Sequence, residues 1–269
     1  MGDSEAAGWQ GDLELITEAA RQAGAVALGF FGNSPEVWWK NGGSSPVSAA
    51  DFAANAMLSS ILQQARPNYG WLSEETDDDD ARLGCRTLFV VDPIDGTRGF
   101  IAGSRLWCVS VAVVTDGRPV AGVLYAPALD ELYTAGLSGP ALKNGAPIAV
   151  SGAGVDDTHR IATGEDMLAG FGSDFRKTIE RVKHIPSLAY RLAMVADGRL
   201  EGTLVRRDSH DWDLAAADLI LQQAGGALVD LAGDPLIYNK PIVKHGELCG
   251  AATASMPEFL HQLASRRDC

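Results

Sequence analysis

Leu13, Ile16, Ala20, Ala23 and Ala27 recur at helical spacing, which predicts a helix over Gly8 to Phe31. Glycines, serines and a proline in WWKNGGSSP then break the pattern and predict a loop. Ser48 and Asp51 form a Ser-x-x-Asp box ahead of Met57, Leu58, Ile61 and Leu62, so a second helix opens at Ser48 and stops at Pro67. From Tyr69 to Ala135 the pattern changes to short β-rich runs separated by turn residues: GWLSEE, TLFVVD, WCVSVAVVT, RPVAGVLYAP and DELYTA. TDGRP between two of them predicts a hairpin turn. Beyond Val150, RIATG and EGTLV predict strands, while Asp174–Val182 and Ser187–Ala196 predict helices. The last clear helix, DWDLAAADLILQQA, is closed by Gly225 and Gly226. Helices layered on sheets without regular βαβ alternation predict a mixed α/β sandwich of two fused halves, residues 1–150 and 151–269.

At 269 residues the chain can bury a large core without help from disulfides or a partner. Its 46% hydrophobic and 21% charged content sits near the average of soluble globular proteins. No apolar run reaches the roughly eighteen residues a membrane helix needs. The opening MGDSEAAGWQ is acidic and lacks the basic and apolar regions of a signal peptide, and Ala6 stands where myristoylation at Gly2 would want Ser or Thr. The expectation is a cytoplasmic protein that binds no membrane. Cys85, Cys108, Cys249 and Cys269 lack metal or redox spacing, which predicts reduced thiols. A net charge of −13 argues against a nucleic-acid polymer as partner. An anionic small substrate would then need local positive charge, and metal ions can supply it. The one charge run, Asp77 to Asp80, predicts a solvated loop tip.

The candidate chemistry sits at the ends of elements. In FVVDPIDGTRGF, Asp92 ends an apolar run, Pro93 forbids further ladder pairing and Gly96 permits a tight turn, so Asp92 and Asp95 can face one space. The Ile94 carbonyl, left out of the sheet, is a candidate ligand for a hard metal. The N–H groups of Gly96 and Thr97, at the start of a short helix through Arg98–Ala102, would form an anion cradle. Two close aspartates repel, and a shared Mg²⁺ offsets that repulsion. Taken alone, the stretch reads equally as a turn in which Asp95 caps the next segment. Glu74 and Glu75 in WLSEE, and Asp211 and Asp213 in HDWD, have bland readings of their own as an exposed turn and a helix start. Acidic groups at the ends of three separate elements nonetheless match the build of a two-metal phosphoryl-transfer site.

SEE, then DPIDGT, then WDLAAADLILQQAGG together resemble the signatures of the inositol monophosphatase superfamily, and WWKNGGSSPVSAAD is similar to its lysine-bearing loop and Ser-x-x-Asp segment. The resemblance spans Lys40 to Gly226. It implies a layered αβαβα sandwich like that of inositol monophosphatase and fructose-1,6-bisphosphatase. Residues 1–150 would carry most metal ligands, and 151–269 the last metal aspartate and substrate contacts. It further implies that Glu74, Asp92 and the Ile94 carbonyl hold one Mg²⁺, that Asp92, Asp95 and Asp213 hold a second, and that a third, water-rich ion sits near Glu74. Thr97 paired with Asp51 resembles the family's couple that activates the nucleophilic water, with Glu74 beside it. The Gly96 and Thr97 amides would hold the phosphate, and the reaction would be direct hydrolysis of a phosphomonoester by metal-activated water. Lys40 would order the loop over the metals, lithium would inhibit, and a homodimer is a frequent assembly of the family.

Inositol-specific members usually carry a glutamate shortly before the metal aspartate of the last helix. Here that place reads Arg206, followed by Arg207, and an arginine fork suits a second phosphate better than a hydroxyl. With Asp95 and Asp211 as further substrate contacts, the expected substrate is 3′-phosphoadenosine 5′-phosphate. Inositol monophosphate and histidinol phosphate are the alternatives by the same mechanism. Gly99 stands where relatives often have Asn or Glu. Trp212 is expected to pack, His210 to be structural or at the rim, and Asp218, on another helix face than Asp213, not to be a ligand. The aspartyl-phosphate pattern D-x-D-x-T sets its acids closer than Asp92 and Asp95, and no G-x-S-x-G elbow supports a serine hydrolase. A non-catalytic protein that binds a metal or a sugar phosphate, or a regulator acting through protein contacts, is the reading from a different class.

Overall fold

The helical spacing of the first third is realised as α1 (Asp3–Phe30) and α2 (Ala49–Ala65) in the computed structural model, which describes residues 3–33, 36–40, 45–152 and 158–264. Between them β1 (Val37–Lys40) and β2 (Ser45–Ser48) pair antiparallel. WWKNGGSSP is therefore largely the ladder of a hairpin and not the expected loop, its residues 41–44 lying outside those described. Trp38 and Trp39 are good strand residues, and ladder pairing outweighs the Gly/Ser/Pro composition around them. Asp51 closes the start of α2, its Oδ2 accepting from Ser48 N at 2.7 Å.

The β-rich middle supplies β3 (Gly70–Ser73), β4 (Thr87–Asp95), β5 (Cys108–Thr115), β6 (Arg118–Ala126), β7 (Glu131–Gly136), β8 (Leu142–Lys143) and β9 (Ala146–Pro147). They form one seven-stranded sheet in that order, with the short helix α3 (Thr97–Ile101) between β4 and β5. Central strands alternate between two buried faces, as a period of two requires: Leu88 and Val90 face one core, Phe89 and Val91 the other. The TDGRP turn passes through Asp116 and Gly117, both at positive φ (50° and 75°), which matches the twist of its flanking strands.

The rest of the chain builds β10 (His159–Ala162), α4 (Glu165–Leu168), β11 (Ile179–Val182), α5 (Leu188–Ala196), β12 (Gly202–Val205), α6 (Asp211–Gln223), β13 (Gly226–Asp230), β14 (Leu248–Ala252) and α7 (Met256–Ala264). Its five strands lie in the order β11-β10-β12-β14-β13. The helix expected over Asp174–Val182 does not form: a 3₁₀ turn, Phe175–Thr178, leads straight into β11, which pairs parallel with β10. The β-branched Ile179 and Val182, offered a ladder partner, take the strand instead.

α1 and α2 pack on one face of the seven-stranded sheet, α5 and α6 fill the space between the sheets, and α7 covers the far face of the five-stranded sheet. The layering is αβαβα, as the resemblance implied. Cys85, Cys108 and Cys249 are free thiols, while Cys269 lies outside the described residues. Among the described residues no helix is long and apolar enough to cross a membrane.

Candidate active site

β4 pairs regularly with β5 up to Asp92, opposite Ser110, and resumes at Asp95, opposite Cys108. Three steps along β4 thus match two along β5, so one extra residue is taken up in a β-bulge. The expectation that Pro93 ends the ladder is corrected: pairing is interrupted there and then continues. Residues three apart in a regular strand face opposite sides, and the bulged residue turns Asp95 to the side of Asp92. Asp213, in the first turn of α6, joins them, and ligand atoms of the three carboxylates lie within 4.8 Å of one another.

Asp92 is 1% exposed and Asp95 5%. Burial first, then the charges of Glu74, Asp95 and Asp213, raises the Asp92 carboxyl well above its ordinary range. Burial first and Asp213 second push Asp95 up to about 7. Protein donors hold all three in place. Asp92 Oδ1 accepts from Ile94 N (3.0 Å), Asp213 Oδ2 from His210 N (2.7 Å), and Asp95 Oδ2 from Ala189 N (2.6 Å) and Ser187 Oγ. Ser187 also caps α5, accepting from Tyr190 N at 3.0 Å, so Asp95 ties the end of β4 to the start of that helix.

A cavity of about 470 Å³ opens over the cluster, lined by Glu74, Asp92, Asp95, Gly96, Thr97 and Asp213. Glu74 reaches it where its neighbour Glu75 does not. Gly96 turns at φ 97°, and a Cβ there would come within 3.1 Å of the Ser187 backbone. Thr97 Oγ1 lies 3.0 Å from Asp51 Oδ1 and 3.0 Å from the Ile94 carbonyl, and its single proton serves one of them at a time. Asp51 engages Ser48 through its other oxygen, so its capping role and its contact with Thr97 hold together. Burial raises the Asp51 carboxyl, which makes its carboxylate a better proton acceptor.

Asp211, expected as a substrate contact, has both carboxylate oxygens engaged by protein groups. It is buried, with Oδ1 2.7 Å from His245 Nε2 and Oδ2 accepting from Asn239 N at 2.8 Å, so it fastens the start of α6 to the chain beyond β13. Arg206 is ion-paired with Asp166 and its side chain is 63% exposed, at the rim of a neighbouring cavity of about 260 Å³ that Asp213 also lines. Asp218 is turned away from the cluster and accepts from Tyr238 Oη and Gln222 Nε2. Trp212 packs against the core between the sheets and stacks on His210 with ring centroids 4.5 Å apart. The Lys40 side chain lies outside the described residues. His184, Leu188 and Asp208 line the cavity unforeseen. Ser187 carried the signal of a helix cap, a serine before an apolar run, but nothing local marks that it meets Asp95.

The sequence profile of the inositol monophosphatase family matches residues 10–266. An inositol-1-monophosphatase of Mesorhizobium japonicum is 32% identical over 252 residues, covering 88% of this chain and 92% of the relative. A histidinol-phosphatase of Chlorobaculum parvum is 31% identical over 235 residues, covering 85% of this chain and 89% of the relative. The extragenic suppressor protein suhB of Bartonella henselae superposes with a TM-score of 0.81 at 29% identity, over 94% of this chain and 98% of its own.

Proposed function

The chain belongs to the inositol monophosphatase family, and from that premise we propose that it is a Mg²⁺-dependent phosphatase of a small phosphorylated metabolite. The observation that carries this reading is the meeting of Asp92, Asp95 and Asp213 within 4.8 Å beneath a cavity that Thr97 also lines. The donor set is oxygen only, and two of the three carboxyls are held above their ordinary range, which suits a hard divalent cation. Glu74, Asp92, the Ile94 carbonyl, Asp95 and Asp213 would hold two ions, with a third near Glu74. Bound there, Mg²⁺ supplies the positive charge that activates water and neutralises phosphate oxygens. Thr97 accepts a proton from the attacking water as its own passes to Asp51 Oδ1, 3.0 Å away. The Gly96 and Thr97 N–H groups, where α3 begins, orient the phosphate. Residues 1–150 contribute most ligands, and residues 151–269 contribute Asp213 and the wall that receives the leaving group.

The substrate favoured here is 3′-phosphoadenosine 5′-phosphate, because Arg206 and Arg207 line the adjoining cavity, where a second phosphate would lie. Inositol monophosphate and histidinol phosphate form the second reading, favoured by the activities in the names of the two relatives above. Phosphate release from these three compounds and fructose 1,6-bisphosphate, with Mg²⁺ and with a chelator, tests both. Release that needs Mg²⁺ is expected, and the ranking decides the substrate. Failure to release phosphate from any of them with Mg²⁺ present rejects the phosphatase reading.

A further inference from the structure

α5 carries a cation, Arg191, with a buried N–H that no described group accepts. Arg191 lines the cavity of about 260 Å³ together with His184, Arg206 and Arg207. Its Nε is buried and has no hydrogen-bond partner among the described residues. This cavity and the one over the metal cluster share His184, Leu188, Asp208 and Asp213 as lining, so the two are continuous. A buried guanidinium N–H without an acceptor is unfavourable, and a second cation beside it adds repulsion. Burial pulls the Arg191 guanidinium down to about 10, with the Asp95 charge opposing that shift and Arg206 adding to it. An oxyanion in the cavity would relieve both the missing acceptor and the repulsion.

We infer that Arg191 is the base of an anion subsite that receives a second oxyanion, phosphate or carboxylate, carried on the leaving group of the substrate. The subsite rests on the phosphatase reading and deepens it. It assigns second-anion recognition to Arg191 in place of Arg206, whose fork is engaged by Asp166 in solvent. Asp208 and Asp213 line the side shared with the metal cluster, so the second anion lies toward the arginines and the first phosphate over the carboxylates. A neutral leaving group such as inositol offers Arg191 no acceptor of full charge.

Matched pairs of substrates test this. Adenosine 3′,5′-bisphosphate and adenosine 3′-monophosphate differ by one phosphate, as do fructose 1,6-bisphosphate and fructose 1-phosphate. Phosphoglycerate and glycerol 3-phosphate differ by a carboxylate. The wild-type protein should favour the doubly anionic member of at least one pair by roughly ten- to hundred-fold in kcat/KM, the worth of a charge-assisted pair of hydrogen bonds. Arg191→Met keeps the apolar stem and should bring that ratio close to one, chiefly through KM, while Arg191→Lys should retain part of it. The pair that shows the preference distinguishes phosphate from carboxylate. A wild-type ratio near one in every pair overturns the subsite, as does a ratio that survives Arg191→Met. If Arg191→Met does not fold, a ratio that survives in Arg191→Gln has the same force. Phosphate release from the monoanionic members with no such preference leaves the phosphatase reading standing and removes only the subsite.

Discussion

Stripping cations from the acidic cluster should make the protein lose stability as pH rises. Asp95 moves from an ordinary 3.8 to about 7 in the folded chain, through burial first and the charge of Asp213 second. The folded chain therefore binds this proton more tightly than the unfolded one. Its contribution to stability is fully present below the unfolded value and is lost as pH rises through the folded one. At about 1.36 kcal/mol per pH unit the whole loss is roughly 4 kcal/mol, of which roughly 3 kcal/mol falls between about pH 5 and about pH 8. Asp92 shifts in the same direction and adds to the slope. A divalent cation offsets the repulsion among the carboxylates, so the loss belongs to the chain in chelator and not to the chain in excess Mg²⁺. Urea unfolding across this pH range, in chelator and in Mg²⁺, measures it. The two limbs should lie closest at the acid end and diverge toward alkaline pH, with Asp95→Asn flattening the chelator limb because its amide does not titrate. A flat chelator limb in the wild-type protein, or one that Asp95→Asn leaves equally steep, would refute the reasoning.

Thr97→Val removes the hydroxyl between Asp51 and the cavity at nearly constant shape. Turnover should fall roughly 10²- to 10⁴-fold, while the rise in thermal midpoint on adding Mg²⁺ persists; loss of that rise would make Thr97 a support of the metal site and not a proton carrier. Gly96→Ala places a Cβ at φ 97° within 3.1 Å of the Ser187 backbone, and should cost about 1–3 kcal/mol in a thermal or urea melt. Gly103→Ala, at φ 76° with nothing within 4 Å of the new Cβ, isolates the backbone share of that cost. Equal losses in the two variants would mean that the Ser187 contact contributes nothing.

The acidic residues were legible because each stands where a local pattern ends: Asp92 after an apolar run, Glu74 after a strand, Asp213 at a helix start. Local rules fail where a contact crosses the chain. The hairpin of β1 and β2 hides behind a loop-like composition, and β11 reads as helix until β10 is there to pair with it. Asp211 and Asp213 are indistinguishable as acids in the first turn of α6, yet one is fastened by His245 and Asn239 and the other faces the cavity. Arg191 carries no signal at all in an apolar helix, since the cavity it lines is shared with Thr163, Leu204 and Arg206, residues far from it along the chain. The bulge in β4 is legible only halfway. Pro93 and Gly96 announce a disturbance, but the count of residues across from it belongs to β5.

That count makes the centre a matter of chain length as much as of composition. Deleting a residue between Asp92 and Asp95 would leave the two aspartates two apart in a regular ladder and still on one face, but without the bulge beside which the Ile94 carbonyl meets Thr97 Oγ1, and no later substitution within β4 would bring the extra residue back. The side chain of Ile94 is wholly buried and answers to the core, while its carbonyl answers to the site. Mutation can thus tune the packing at Ile94 and reshape the cavity that Arg191 and Arg206 line, but a lineage that loses the extra residue cannot drift back by point changes alone.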